Sequence, residues 1–156
     1  MKKLLFILPI FALFISSCSK NKVFEKYEKF KNYEWPMDKE ASFNVPIEDT
    51  AAFYDISIPV RHLENYPYDA LVIVMTINTP AGEMRSKGYK LQLRDSEGEF
   101  IGDGSGDICD ATIPIIKKTK FNNPGTYNFE IVSDMPVTPT PAIMEIGLRI
   151  DKSDKD

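Results

Sequence analysis

One histidine, His62, limits the catalytic chemistry open to this chain. A Ser–His–Asp or Cys–His arrangement would have to use it. No nucleophile elbow or other local signature accompanies a serine or Cys109, and His62 falls at a strand end, as a surface or rim residue. Cys109 reads as a small buried hydrophobe. Zinc sites built from His and Cys need three or four ligands, and beyond Cys18 the chain offers only His62 and Cys109. Gly102, Gly104 and Gly106 form a G-x-G-x-G run, but no helix follows to present its N-terminus to a phosphate. The run predicts a bulge or tight bend instead. Asp103, Ser105, Asp107 and Asp110 are oxygen donors of the kind calcium takes, yet Ile108 stands where an EF-hand needs glycine. Paired carboxylates for glycoside hydrolysis must face each other across a cleft, and no spacing among the 23 acidic residues singles out a pair. The expectation is a non-enzymatic chain without a cofactor or metal.

Cys18 carries different chemistry. Lys2 and Lys3 precede the apolar run Leu4 to Ile15, and Ser16, Ser17 and Cys18 follow it. Twelve residues at about 1.5 Å each make a helix of roughly 18 Å, short of a hydrocarbon core of about 30 Å. Residues 1–17 therefore read as a cleaved secretory signal. Ile15-Ser16-Ser17-Cys18 matches a bacterial lipobox, in which the cysteine is acylated on sulfur and becomes the new N-terminus. One acyl chain holds a protein only marginally, but two or three give a stable anchor. The expected partner of this end is a membrane, held through lipid on Cys18.

The elements that would position any site are strands. From residue 43 the pattern has period two. Tyr54, Ile56, Ile58 and Val60 alternate with Asp55, Ser57 and Arg61, and Pro59 predicts an edge strand or a bulge. Ala70 to Ile77 is apolar on both faces and predicts a central strand. Tyr89, Leu91 and Leu93 alternate with Lys90, Gln92 and Arg94; a short strand is expected around Phe100 and Ile101, and another over Cys109 to Lys117. Asn122-Asn123-Pro124-Gly125 is a turn, after which Tyr127, Phe129 and Ile131 alternate with polar residues. Met144, Ile146, Leu148 and Ile150 form the last strand. The fold class is all-β, an antiparallel β-sandwich or jelly-roll-like body of seven or eight strands. Residues 18–34, charge-rich with scattered aromatics, read as the lipidated N-terminus and a tether that lays partly on the domain. Residues 35–152 read as the β-sandwich domain. Trp35, Tyr66 and Tyr68 are the candidate platforms for a glycan ligand.

Loss of Lys2 and Lys3 with the signal leaves 17 basic against 23 acidic residues, a net charge near −6. That balance excludes nucleic acid as a partner, since affinity there comes from neutralising phosphates. It also argues against an electrostatic grip on anionic lipid.

Several phrases in fixed order resemble the gliding-motility lipoprotein family GldH of the Bacteroidota. They are Tyr66-Pro67-Tyr68-Asp69-Ala70-Leu71, the stretch from Leu93 to Asp107, Pro124-Gly125-Thr126-Tyr127-Asn128-Phe129, and the stretch from Ile143 to Ile150. The resemblance spans residues 18 to 151; Phe100 replaces an expected tryptophan, and Pro139-Thr140-Pro141 replaces a Leu/Gly-type connection. It implies a cell-envelope lipoprotein of the gliding machinery, working with other gliding and type IX secretion proteins and without recognised catalytic residues. No acidic run follows Cys18, so the expected location is the outer membrane, facing the periplasm. Asp49-Thr50-Ala51 matches the short O-glycosylation acceptor of these bacteria at Thr50. The alternative reading is a glycan-binding lipoprotein.

Overall fold

The computed structural model describes residues 21–154. The predicted signal segment 1–17 and Cys18 lie outside the described residues.

Period two in the sequence becomes alternation of inward and outward side chains. The strands are β1 (Lys22–Lys29), β2 (Glu34–Trp35), β3 (Ala41–Ile47), β4 (Tyr54–Leu63), β5 (Ala70–Asn78) and β6 (Met84–Gln92). They continue with β7 (Asp103–Ser105), β8 (Ile108–Thr119), β9 (Gly125–Ser133), β10 (Thr140–Pro141) and β11 (Ile143–Lys152). A five-stranded sheet, β1-β11-β4-β8-β7, packs on a four-stranded sheet, β3-β9-β5-β6, while β10 and β2 form a small third sheet. All pairings are antiparallel. Eight strands are long, and the other three have two or three residues each. No α-helix occurs among the described residues; Lys31–Tyr33 forms one 3-10 turn.

Inward residues of both sheets make one core. Ile56, Ile58, Ile146 and Leu148 of the larger sheet meet Leu71, Ile73, Phe129 and Ile131 of the smaller. Each such side chain contributes about 1.5–3 kcal/mol on burial. β5 runs between β9 and β6; its Leu71, Ile73 and Met75 are buried in the core, while Val72 and Val74 on its other face are half-buried.

Two expectations change. The sandwich begins at Lys22, ahead of the boundary expected at residue 35, because β1 pairs along β11 from Lys22 to Lys29. Its charges had the look of a linker, but they are cross-strand partners: Glu25 opposes Arg149, and Lys29 reaches Glu145 at 3.3 Å. Only Phe24 goes inward to the core, edge-on to Phe43. β1 also covers Gly147, where an added Cβ would lie 2.9 Å from the Tyr27 ring. Of the edge strand or bulge expected at Pro59, the edge is overturned, because β4 pairs with both β11 and β8, and irregularity in the strand is what is found. The missing N–H is accommodated by the ladder itself. Pairing to β11 runs from His62 to Val60 and resumes at Ser57, and register shifts flank Ile56 on the β8 side.

Candidate functional site

Antiparallel register gathers the loops 30–40, 64–69, 93–107 and 134–142 at one end of the sandwich, opposite the end that holds Asn21. Trp35, Tyr66 and Tyr68 all fall here, but not as platforms. Trp35 is wholly buried and Tyr66 is 1% exposed. Trp35 stacks on Phe30 (4.8 Å between centroids, 15° between planes), and its Nε1 donates to the Lys39 carbonyl at 2.7 Å. The Tyr66 hydroxyl donates to the Ala70 carbonyl, and half-buried Tyr68 packs edge-on against its ring. Aromatic area that the core uses cannot face a sugar, which removes Trp35 and Tyr66 as ligand-binding residues.

His62 also departs from expectation. It is fully buried rather than on the rim, because its cross-strand neighbours in β11 and β8 and the 93–107 loop close over it. Its ring lies 4.6 Å from that of Phe100, tilted by 59°, and the Arg94 guanidinium lies 3.5 Å from the Phe100 ring centre. Arg94 donates to the Gly98 carbonyl at 2.6 Å, so the stack braces the long loop to the sheet. His62 Nδ1 lies 2.9 Å from the Leu63 carbonyl, and Nε2 is buried without a hydrogen-bond partner. The expected short strand at Phe100 reduces to a single bridge to Arg94. Gly102 has a φ of +117° and sits where any side chain would collide with the Asp110 carbonyl. This is the bend predicted for the glycine run.

Burial pushes the His62 imidazole below its ordinary value of 6.5, and nearby Arg94 adds to this; the Leu63 carbonyl and Asp110 oppose it. The unfolded chain therefore takes up this proton first as pH falls. The residue's contribution to stability is complete above about pH 6.5 and is lost progressively below it. Urea unfolding at pH 7.5 and 5.5 should show stability falling with acid, no more steeply than about 1.4 kcal/mol per pH unit from this group. His62→Phe keeps an aromatic ring against Phe100 and should remove most of that slope. An unchanged slope in the variant would refute the assignment.

Cys109 lies opposite His62 across the β4–β8 pair, but burial and the nearby Glu64 and Asp110 push its thiol up. A nucleophile needs the thiolate, so this pair lacks the required activation. Asp103 and Asp110 are also cross-strand neighbours, yet Asp110 is engaged by Arg61 through two bonds of 2.7 and 3.0 Å. No group of three or more His, Cys, Asp or Glu is placed to hold a metal among the described residues. At the opposite end, Asp49 accepts from the Ala51 and Ala52 N–H groups and caps a turn, with Thr50 half-buried beside it.

What this end does present is an exposed apolar set that composition alone did not single out. After Phe30 the chain turns through Asn32 and Tyr33, both at positive φ (56° and 57°). A bulky residue in that region costs about 1–2 kcal/mol, and the clasp around it holds it there. Trp35 pairs with Thr140, and the Met37 N–H donates to the Thr138 hydroxyl at 3.1 Å. Tyr33, Met37 and Val137 are thereby held outward, 50%, 56% and 44% exposed. Recesses of about 810 and 710 Å³ flank the turn: Pro36, Met37 and Pro139 line the first, and Tyr33, Leu63 and Met144 the second. The loops of this end carry eleven acidic and three basic residues. The left-handed tyrosine could not have been found from hydropathy, since only the backbone shows it.

The GldH lipoprotein family profile matches residues 22–150, from the first residue of β1 to near the end of β11. A gliding motility lipoprotein GldH homolog of Christiangramia forsetii is 28% identical over 156 residues, covering 96% of this chain and 95% of that protein. The gliding motility lipoprotein GldH of Flavobacterium johnsoniae is 26% identical over 155 residues, covering 95% and 96%. No solved structure matches the chain.

Proposed function

The chain belongs to the GldH lipoprotein family, and from that membership we propose that it is a non-enzymatic, membrane-anchored component of the gliding-motility machinery. Acyl chains on Cys18 hold it to the outer membrane, facing the periplasm, and the far end docks other envelope proteins of gliding and type IX secretion. The observation that carries the docking role is the rigid presentation of Tyr33, Met37 and Val137 beside two recesses. Tyrosine is enriched at binding hot spots, where truncation typically costs about 2 kcal/mol or more. A side chain locked by its backbone loses little freedom on binding.

The test is replacement in the native bacterium. Tyr33→Asn with Met37→Ser removes the apolar contacts while asparagine still tolerates the left-handed conformation. Surface changes of this kind shift stability by only about 0.5 kcal/mol. The double variant should reach the membrane at parental levels, recover at least about tenfold less envelope protein after cross-linking, and fail to restore spreading to a deletion strain. Normal spreading and normal cross-linking would refute docking through this end.

A further inference from the structure

The two ends of the sandwich differ in charge far more than the total suggests. At the end opposite the apolar set lie residues 21–22, 48–53, 79–85, 117–124 and 152–154. With Asp55 and Asp151, which lie level with Lys117 and Lys22, these carry six basic and six acidic residues, against three and eleven at the far end. The whole stretch from Ala111 to Phe129 has no acid at all, and it brings Lys117, Lys118 and Lys120 to this end. Asp49 with Lys152 and Glu83 with Arg85 cancel as ion pairs, each at 2.8 Å, and Asp55 lies near Lys117 and Lys118.

Exposed apolar residues share this surface. Phe53 is 48% exposed and Met84 71%. The Lys120 ammonium lies 4.6 Å above the Phe53 ring, and one recess joins Lys120 and Asn122 to Glu83 and Arg85, the chain neighbours of Met84. Aromatic and long apolar side chains mixed with lysine suit the headgroup region of a bilayer, where a ring can enter and the ammonium stay in water.

The chain fixes which surface is near the membrane. Asn21 is pinned here: its carbonyl accepts from the Lys152 N–H at 2.7 Å, and its side chain donates to Asp154 at 2.7 Å. Only Ser19 and Lys20 separate it from Cys18, three backbone steps that reach about 10 Å when extended. A domain tethered that closely must bring this end to the lipid, and its acidic far end is repelled by an anionic surface.

We propose that this end of the sandwich lies directly on an anionic phospholipid surface, with Phe53 and Met84 in the headgroup region and Lys117 and Lys120 on the phosphates. The proposal rests on acylation of Cys18. It makes the lipoprotein an oriented post rather than a body swinging on a leash, holding Tyr33 and Met37 away from the membrane.

The experiment reconstitutes the full mature lipoprotein into vesicles of phosphatidylethanolamine and phosphatidylglycerol at about 3:1, a composition that attracts lysine, with brominated acyl chains as quencher. Two variants report the two ends, Phe53→Trp and Met37→Trp, each over the same Trp35 background. Phe53→Trp should lose about half or more of its added emission, as a ring at the acyl boundary does, while Met37→Trp keeps nearly all of its own. Adding Lys117→Glu and Lys120→Glu should sharply reduce the loss at position 53. Equal losses at both positions overturn the proposal. So does the absence of loss in chains that still sediment with vesicles, which would return the surface to a protein partner and leave acylation standing. Chains that fail to sediment overturn both readings.

Discussion

Exported without Cys18, the domain should appear in the soluble fraction. The direct variant is Cys18→Ser, which keeps the size of the side chain but offers no thiol for acylation. A second version replaces residues 1–18 with an ordinary secretory signal, so that a block in signal processing cannot imitate retention. Two or three acyl chains give stable attachment where one alone is marginal. The end proposed to meet lipid carries basic and acidic residues in near balance, so charge alone does not hold the body to a membrane. Nearly all of the parent should therefore sediment with membranes, and nearly all of both variants should not. Intact mass of the parent should show the added acyl groups at the N-terminal peptide. Cys109 serves as the control thiol: it is buried, and Cys109→Ala should leave both mass shift and fractionation unchanged. Membrane retention of the version with the substituted signal would refute lipid anchoring.

Core strands were legible because their pattern depends only on two faces. Ala70–Asn78 is apolar on both sides and runs between two neighbours; Ile146 to Ile150 alternates and lies between β1 and β4, while a bulge before Glu145 puts Ile143 rather than Met144 in the core. Edge strands were not. Lys22–Lys29 buries essentially one residue, Phe24, so no hydrophobic period marks it, and its charges acquire meaning only beside Arg149 and Glu145. The same limit explains His62. A polar residue at a strand end is normally exposed, and what covers it is Phe100, a residue 38 positions later in the chain, braced by Arg94. Net charge hid the separation of the two ends, because a sum has no direction. Of the aromatic candidates, the sequence supplied type and place in the chain but not burial. Trp35 and Tyr66 were needed inside, and Tyr33, unremarkable as a letter, became the exposed one.

Trp35→Ala should be the most destabilising single truncation at the far end, by about 3–5 kcal/mol. Its ring is wholly buried, stacked on Phe30, and hydrogen-bonded to the Lys39 carbonyl. Natural domains are stable by only about 5–15 kcal/mol, so the variant should unfold at a markedly lower urea midpoint with an unchanged slope. Trp35→Phe should cost less, about 1–2 kcal/mol, because it retains the stack and leaves one carbonyl without its donor. The contrast with Tyr33→Asn is the informative part. Two residues away, on the same turn, that change removes an outward ring and should shift stability by only about 0.5 kcal/mol. One position anchors the turn and the other displays it. A loss of less than about 1 kcal/mol in Trp35→Ala would mean that the segment 30–40 is not part of the cooperative unit. Its exposed residues would then hang on a flexible lead, and a rigid docking surface at that end would be untenable.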